Sequence, residues 1–208
     1  EKAGMHPNTI KKLEQGGTRL FDEGNYEAAA LGFWEILQDP KASAVHSRSE
    51  YMLGKSLYRL GMYHSALEIF KRILARGESD RFFATSLEWL FFIAHKTTNQ
   101  TVVLDELARF AGVAFPERYR DEYRYLLAKY NFVRARALAD AQAADGGAST
   151  AYLDASKESL NEARRLLAMV PPNSPFFPQA KYLDGLSLYA SGNAALAVES
   201  FKEVVRAT

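Results

Sequence analysis

Residues 54–70 read GKSLYRLGMYHSALEIF, and the same skeleton recurs at residues 17–33 (GTRLFDEGNYEAAALGF) and 185–201 (GLSLYASGNAALAVESF). In each copy a glycine is followed by leucine after three residues, glycine after seven, alanine after twelve and phenylalanine after sixteen. A five-point pattern present in three copies indicates an internal structural repeat.

The spacing within one copy predicts a helical hairpin. The first glycine lies mid-helix, where it costs about 1 kcal/mol relative to alanine, so we expect a neighbouring backbone to approach closely there. The second glycine ends the first helix in a left-handed cap. The alanine then lies where the two helices cross, and the phenylalanine follows one turn later on the same face. These four positions are Gly17, Gly24, Ala29 and Phe33; Gly54, Gly61, Ala66 and Phe70; and Gly185, Gly192, Ala197 and Phe201.

The motif resembles the tetratricopeptide repeat. The matching positions also include Leu20, Tyr26, Leu57, Tyr63 and Leu188, and the third copy departs from the pattern at Ala194, where the others carry tyrosine. The resemblance implies an all-α, right-handed superhelical solenoid of antiparallel helix pairs. It predicts one continuous array of about five repeats, at residues 10–43, 47–78, 81–112, 117–170 and 178–207.

Sequence signals set the expected boundaries in the first half of the chain. Asn8 or Thr9 is expected to cap a first helix over residues 10–23, which pairs with residues 26–38. A connector is expected at residues 41–45, before the second repeat. The third hairpin, residues 81–96 and 101–111, has Phe91 where the repeat expects glycine, which predicts a splayed pair.

The fourth hairpin is expected to be unusually long. Its first helix is predicted from Pro116 to about Ala143, followed by a break at residues 145–147 and a partner helix over residues 151–170 capped by Ser149 or Thr150. A mobile loop within residues 140–152 is the alternative. A fifth hairpin is expected at residues 178–191 and 194–207.

Composition narrows the class of partner. Lys and Arg number 26 against 25 Asp and Glu, which gives no electrostatic reason to expect nucleic acid or an anionic membrane as partner. The chain has no cysteine, which excludes disulfides and thiolate metal sites. The four histidines show no metal-ligand spacing, and neither a phosphate-binding loop nor a nucleophile motif is present. We therefore expect a protein partner and no enzymatic activity, metal or cofactor.

The resemblance also implies where a partner binds. First helices of successive tetratricopeptide hairpins line a concave groove, and this implies a tyrosine-rich groove with basic spots. The lining positions carried over are Arg48, Tyr51, Lys55, Tyr58 and Arg59; Glu14, Thr18 and Phe21; Glu88, Phe92 and His95; Tyr125, Lys129 and Phe132; and Tyr182, Leu186 and Tyr189.

Two further points bear on this groove. Tyrosine and arginine often anchor partners, but several of these tyrosines could instead pack between adjacent hairpins. The clamp that recognises chaperone carboxyl termini requires Lys and Asn where this sequence has Tyr51 and Lys55, so a chaperone tail is disfavoured.

These observations predict a non-enzymatic scaffold that holds a peptide or helix segment, acidic and apolar in character, in its concave groove. Residues 170–201 are similar to repeats of bacterial envelope proteins, which implies assembly of a cell-envelope machine and a periplasmic or envelope location, with the cytoplasm as the alternative. No apolar run has the length of a membrane span, so no direct membrane insertion is expected. Glu1 as first residue suggests a piece of a longer protein. The alternatives are a regulatory or targeting module of a larger enzyme, and a homo-oligomeric subunit that associates through residues 194–208.

Overall fold

The computed structural model describes residues 4–97, 100–113, 117–146 and 150–207. Within these ranges the regular elements are all helical. They are α1 (Pro7–Asp22), α2 (Tyr26–Leu37), a 3-10 turn (Pro40–Ala42), α3 (Ser43–Arg59), α4 (Tyr63–Ala75), α5 (Phe83–Lys96), α6 (Thr101–Ala108), α7 (Glu117–Ala144), α8 (Ala151–Ala168), α9 (Phe177–Ala190) and α10 (Ala194–Ala207). The predicted all-α class is confirmed.

The chain divides into two compact units. Unit 1 comprises Glu1–Val103 and unit 2 comprises Leu104–Thr208. The division falls inside α6, in the third hairpin, where Phe91 replaces the motif glycine. In unit 1 each of α1 to α4 packs against the next helix, and α1 also contacts α3. In unit 2, α7 pairs with α8 and α9 with α10, while α7 and α8 both contact α9. That all five hairpins form one continuous array stays a prediction.

The second glycine of each motif ends its helix as predicted. Gly24, Gly61 and Gly192 have φ of +83°, +77° and +80°, the left-handed conformation that glycine adopts without strain. In each turn the amide after the glycine donates to the carbonyl of the motif leucine, at 2.8 Å for Leu20 and 2.9 Å for Leu57 and Leu188. This closure satisfies a carbonyl that the helix end leaves unpaired.

The first glycine of each motif faces an aromatic ring. A Cβ on Gly54 would lie 2.9 Å from Phe70 Cζ, and one on Gly17 would lie 3.0 Å from Phe33 Cζ. Our expectation that a neighbouring backbone approaches this glycine was therefore wrong. The group that lies close to it is the phenylalanine side chain of the second helix. Phe33 and Phe70 are 0% exposed.

Several predicted boundaries are corrected. Helix α1 begins at Pro7 with His6 as its N-cap, whose Nδ1 accepts from the Asn8 amide at 3.2 Å, so the predicted cap at Asn8 or Thr9 was wrong. The expected connector at residues 41–45 is a 3-10 turn followed by the first turn of α3, which starts at Ser43.

The long fourth hairpin is confirmed. Helix α7 has 28 residues and α8 has 18. The predicted start at Pro116, the cap at Ser149 and part of the alternative loop lie outside the described residues. Thr150 precedes α8, but its side chain makes no capping hydrogen bond. No helix of the described ranges combines the length and apolarity that a membrane crossing requires.

Candidate functional site

The five lining residues predicted in the second repeat all lie on α3. The first four follow one another at steps of three or four residues, and Arg59 lies four residues after Lys55, which places all five on one side of the helix. This side contacts both α1 and α5 through the side chains described next. We call the surface of unit 1 formed by α1, α3 and α5 the first-helix face. The residues are Arg48, Tyr51, Lys55, Tyr58 and Arg59.

Tyr51 joins α3 to the start of α5. Its ring stacks on Phe82 with centroids 4.7 Å apart and an interplanar angle of 13°. Trp89 Nε1 donates to the Tyr51 hydroxyl at 3.0 Å. Tyr51 is half-buried, and these two contacts join neighbouring hairpins, which is the alternative left open by the sequence.

Tyr58 occupies a similar position two turns further along α3. Its ring forms T-shaped contacts with the rings of Trp89 and Tyr63, with centroids 5.0 Å and 5.3 Å apart. Burial raises the pKa of the Tyr58 hydroxyl, which favours its neutral, hydrogen-bonding form. Trp89 in turn stacks on Phe70 at 5.6 Å and meets Phe92, which is 38% exposed. An aromatic surface therefore continues from α3 onto α5.

The cations of α3 are held over aromatic rings. Lys55 Nζ lies 4.7 Å from the ring centroid of Phe21 and 5.8 Å from that of Tyr51. Arg59 Cζ lies 4.5 Å from the ring centroid of Tyr26. Such contacts attract the cation to the ring face without neutralising its charge. Both cations are thus placed in fixed positions and remain able to meet an anion.

Charge on this face is uneven. Arg48 is paired with Glu14, with Nε 3.1 Å from Oε1. Lys55 and Arg59 have no ion pair within the described part of the chain. Burial lowers the pKa of Lys55 while Asp22 acts in the opposite direction, so this lysine is partly desolvated and gains from an incoming carboxylate. The cations of this side of α3 that lack an ion pair in the described residues are therefore Lys55 and Arg59.

The remaining predicted positions are divided between the units. His95 is an exposed residue of α5. In unit 2, Tyr125 and Lys129 are half-buried on α7, and Tyr125 stacks on Phe176 at 6.1 Å. Tyr182 and Tyr189 lie on α9 and are 54% and 70% exposed. Whether any of these residues contacts a partner stays a prediction.

Clusters with metal-binding chemistry do not appear in the described ranges. No three His, Cys, Asp or Glu side chains converge there as a metal site requires.

A second surface of unit 1 was not anticipated from the sequence. Helices α2 and α4 flank a groove of about 700 Å³ whose floor is formed by leucines of α3, and we call it the outer groove. Its walls carry Leu31, Trp34 and Met62, which are 58%, 52% and 49% exposed. The lining residues are Glu27, Ala30, Leu31, Trp34, Leu37, Gln38, Glu50, Leu53, Leu57, Leu60, Met62, Ser65, Glu68, Ile69 and Arg72.

A signal for this groove was present in α2. Its sequence YEAAALGFWEIL is apolar on nearly all sides. A helix buried on only one side keeps the opposite side polar. Phe33 faces the core while Leu31 and Trp34, on the other side, are exposed. Apolar residues on both sides of a helix therefore indicated a second contact surface.

Comparison with known proteins identifies the fold. No family model matches the chain and no curated protein does. Among solved structures, YrrB, described as a tetratricopeptide-repeat protein with an unusual peptide-binding site, shares 17% identity with a TM-score of 0.61, covering 94% of this chain and 84% of its own. MamA shares 18% identity with a TM-score of 0.56, covering 97% and 93%. MamA from Desulfovibrio magneticus RS-1 shares 18% with a TM-score of 0.53, covering 95% and 94%. The tetratricopeptide-repeat fold predicted from the motif is confirmed.

Proposed function

We propose that this chain is a non-enzymatic scaffold that binds a segment of a partner protein on the first-helix face of unit 1. The observation that supports this most is the placement of Lys55 and Arg59 over aromatic rings beside the surface of Tyr58, Trp89 and Phe92. Fixed cations next to partly exposed aromatic rings suit a segment that is both acidic and apolar.

In this proposal the predicted residues have different roles. Tyr51 and Tyr58 mainly fix α5 against α3, and a partner would contact only their exposed edges. Lys55 and Arg59 are the groups that select charge. Because their positions are set by ring contacts, little side-chain entropy is lost when a carboxylate binds. The peptide-binding description of YrrB is a property of that protein, and it agrees with this reading of the shared fold.

A selection from a random peptide library tests the chemistry of the site. We expect the wild-type chain to enrich peptides that combine Asp or Glu with aromatic or large aliphatic residues. The Lys55→Gln/Arg59→Gln variant should bind them about tenfold more weakly, because the charges that steer and hold the acidic groups are gone. Lys12→Gln/Arg19→Gln, which removes the same charge from exposed positions of α1, is the matched control and should bind like wild type.

The same variants serve in a co-purification from the native host. Partners recovered with wild type and the control, but not with Lys55→Gln/Arg59→Gln, would support the site. Enrichment of basic peptides, or equal recovery by all three proteins, would refute it.

We further propose that the scaffold acts in assembly of a bacterial cell-envelope machine. The support is the absence of cysteine and the likeness of residues 170–201 to repeats of envelope proteins. Fractionation of the full-length protein in its host tests this: recovery with periplasmic or envelope fractions is expected, and recovery with cytosol alone would reject it.

A further inference from the structure

Helix α10 presents an exposed apolar stripe at positions that are buried in the second repeat. The motif aligns Val198 with Leu67 and Val205 with Leu74, since each pair lies at the same distance from its first glycine. Leu67 and Leu74 are 1% and 2% exposed in α4, which packs against α5. Val198 and Val205 are 50% and 77% exposed. The stripe therefore has the pattern of a surface on which another helix packs.

The outer groove of unit 1 offers the complementary shape. It is open to solvent between α2 and α4, with a leucine floor and the exposed walls of Leu31 and Trp34. A groove between two helices accommodates the apolar stripe of a third, as in helix-in-groove recognition. A tryptophan at its rim is the residue type that most often dominates such contacts.

The unpaired charges at the two ends of the groove are opposite, because the other two lining carboxylates, Glu50 and Glu68, pair with Arg76 and Lys71. Helix α3 packs between α2 and α4 and is antiparallel to both. Helices α2 and α4 therefore run in the same direction. Glu27 lies at the end where α2 begins, and Arg72 lies near the end of α4. Neither makes an ion pair within the described residues.

The charges of α10 match this groove in one direction. Glu199 lies in its first half, whereas Lys202 and Arg206 lie in its second half. Glu199 and Lys202 form an exposed ion pair with Nζ 2.7 Å from Oε1, a contact that solvent screens. Seven residues separate Glu199 from Arg206, about 10 Å along the helix. A helix inserted antiparallel to α2 would therefore bring Arg206 towards Glu27 and Glu199 towards Arg72.

We propose that α10 of one copy docks in the outer groove of a second copy, antiparallel to α2 and α4. Each copy has both surfaces and the two surfaces differ, so the contact is heterologous and can extend into open chains. One helix in a groove is a small interface. The association is therefore expected to be weak and concentration-dependent. It uses neither Lys55 nor Arg59 and does not depend on the function proposed above.

Sedimentation velocity from about 10 μM to about 1 mM tests the proposal over the range expected for a small interface. Wild type should form species that grow with concentration. Two variants should each weaken association about tenfold or more, since lysines replace central apolar contacts. Leu31→Lys/Trp34→Lys blocks the groove, and Val198→Lys/Val205→Lys blocks the stripe. Leu196→Lys, at a 57% exposed residue on the opposite side of α10 from Val198 and Val205, is the control that should associate like wild type.

Mixing the two blocked variants is the decisive step. Each keeps the surface that the other lacks, so together they should form a heterodimer that does not grow further. Circular dichroism confirms that both variants are folded, which is expected because all four positions are at least half exposed. A wild type that stays monomeric over the whole range would overturn the proposal. So would association that survives either substitution pair, or a mixture of folded variants that fails to dimerise.

Discussion

Gly54 and Phe70, sixteen residues apart, pack so closely between α3 and α4 that a Cβ on the glycine would overlap the phenyl ring. That Cβ would lie 2.9 Å from Phe70 Cζ and 3.1 Å from Ile69 Cγ2, distances too short for van der Waals contact. The motif therefore fixes the distance between the two helices of each hairpin through a glycine and a ring.

Substituting this glycine should destabilise the hairpin despite the better helix propensity of alanine. Gly54→Ala should lower the free energy of unfolding by about 1–3 kcal/mol, because Phe70 is fully buried and cannot move aside cheaply. Gly16, also in a helix, has nothing within 4 Å of its Cβ position. Gly16→Ala should therefore stabilise the chain by about 0.5–1 kcal/mol. Urea unfolding followed by circular dichroism measures both.

A double variant tests the cause. Gly54→Ala/Phe70→Leu should lose less stability than the sum of the two single changes, because the smaller side chain relieves the overlap. Additive losses would show that the ring is not what excludes the alanine.

The hydrogen bond between Trp89 and Tyr51 is the basis of a second prediction. Tyr51→Phe keeps the stack on Phe82 and removes only the acceptor, which should cost about 0.5–1.5 kcal/mol. Tyr51→Ala also loses the stack and should cost about 2–4 kcal/mol. Tyr189→Phe, at a 70% exposed tyrosine, is the control and should be close to neutral. Denaturant unfolding measures all three, and a Tyr51→Phe protein as stable as wild type would contradict the structural role of this bond.

Local signals made the hairpins predictable from sequence. Gly24 and Gly61 marked helix ends because a left-handed cap depends on the residue itself, and the 28-residue α7 was visible from uninterrupted helical composition. The start of α1 was missed because His6, a residue rarely expected as a cap, accepts the capping bond. Boundaries of this kind depend on one side-chain rotamer, which a sequence pattern does not encode.

The candidate site was less predictable than the fold. The spacing of Tyr51, Lys55 and Tyr58 placed them on one face, but it could not show that the tyrosines pack against α5, since that depends on the neighbouring hairpin. The outer groove was missed for a related reason. Leu31 and Trp34 lie in a largely apolar helix, and only the packing of α2 against α3 shows that they point away from the core.

Arg76 links two carboxylates from different elements, which leads to a third prediction. Its guanidinium lies 2.7 Å from Glu50 Oε2 on α3 and 2.6 Å from Asp80 Oδ2 in the turn before α5. Arg76→Met should lower the free energy of unfolding by about 1–2 kcal/mol, a modest loss because the arginine is 41% exposed and solvent screens the pairs. Arg72→Met, at an exposed arginine one turn earlier in α4, should be nearly neutral.

The effect of Arg76→Met should depend on pH. Burial alone would raise the pKa of Asp80, but the hydrogen bonds from Arg76 and from the Phe82 amide lower it overall. A carboxyl whose pKa is lowered by folding stabilises the protein above its unfolded pKa, about 3.9, and loses that contribution as the pH falls through the lowered value. The stability difference between wild type and variant should therefore be largest near neutral pH and shrink in acid. A difference that is constant down to pH 2 would argue against the ion pair.

The contact between Asp39 and the residues before α1 is the basis of the last prediction. Asp39 Oδ2 accepts from the Met5 amide at 2.5 Å, and Oδ1 accepts from the Lys41 amide at 2.8 Å. These two bonds lower the pKa of Asp39, so the contact is present above the ordinary carboxyl pKa and is lost as the pH falls through the lowered value. Asp39→Ala should speed hydrogen exchange at the Met5 amide at neutral pH, and wild type should approach the variant in acid once intrinsic exchange rates are allowed for.

Asp140→Asn, at an exposed carboxylate on α7, is the matched control for Asp39→Ala and should leave exchange at Met5 unchanged. The Met5 amide has no backbone acceptor to replace Asp39 within the described residues, so its protection depends on this one carboxylate. Wild type and Asp39→Ala proteins with equal exchange at neutral pH would show that the residues before α1 are held by other contacts, and the assigned cause of the lowered pKa would then be wrong as well.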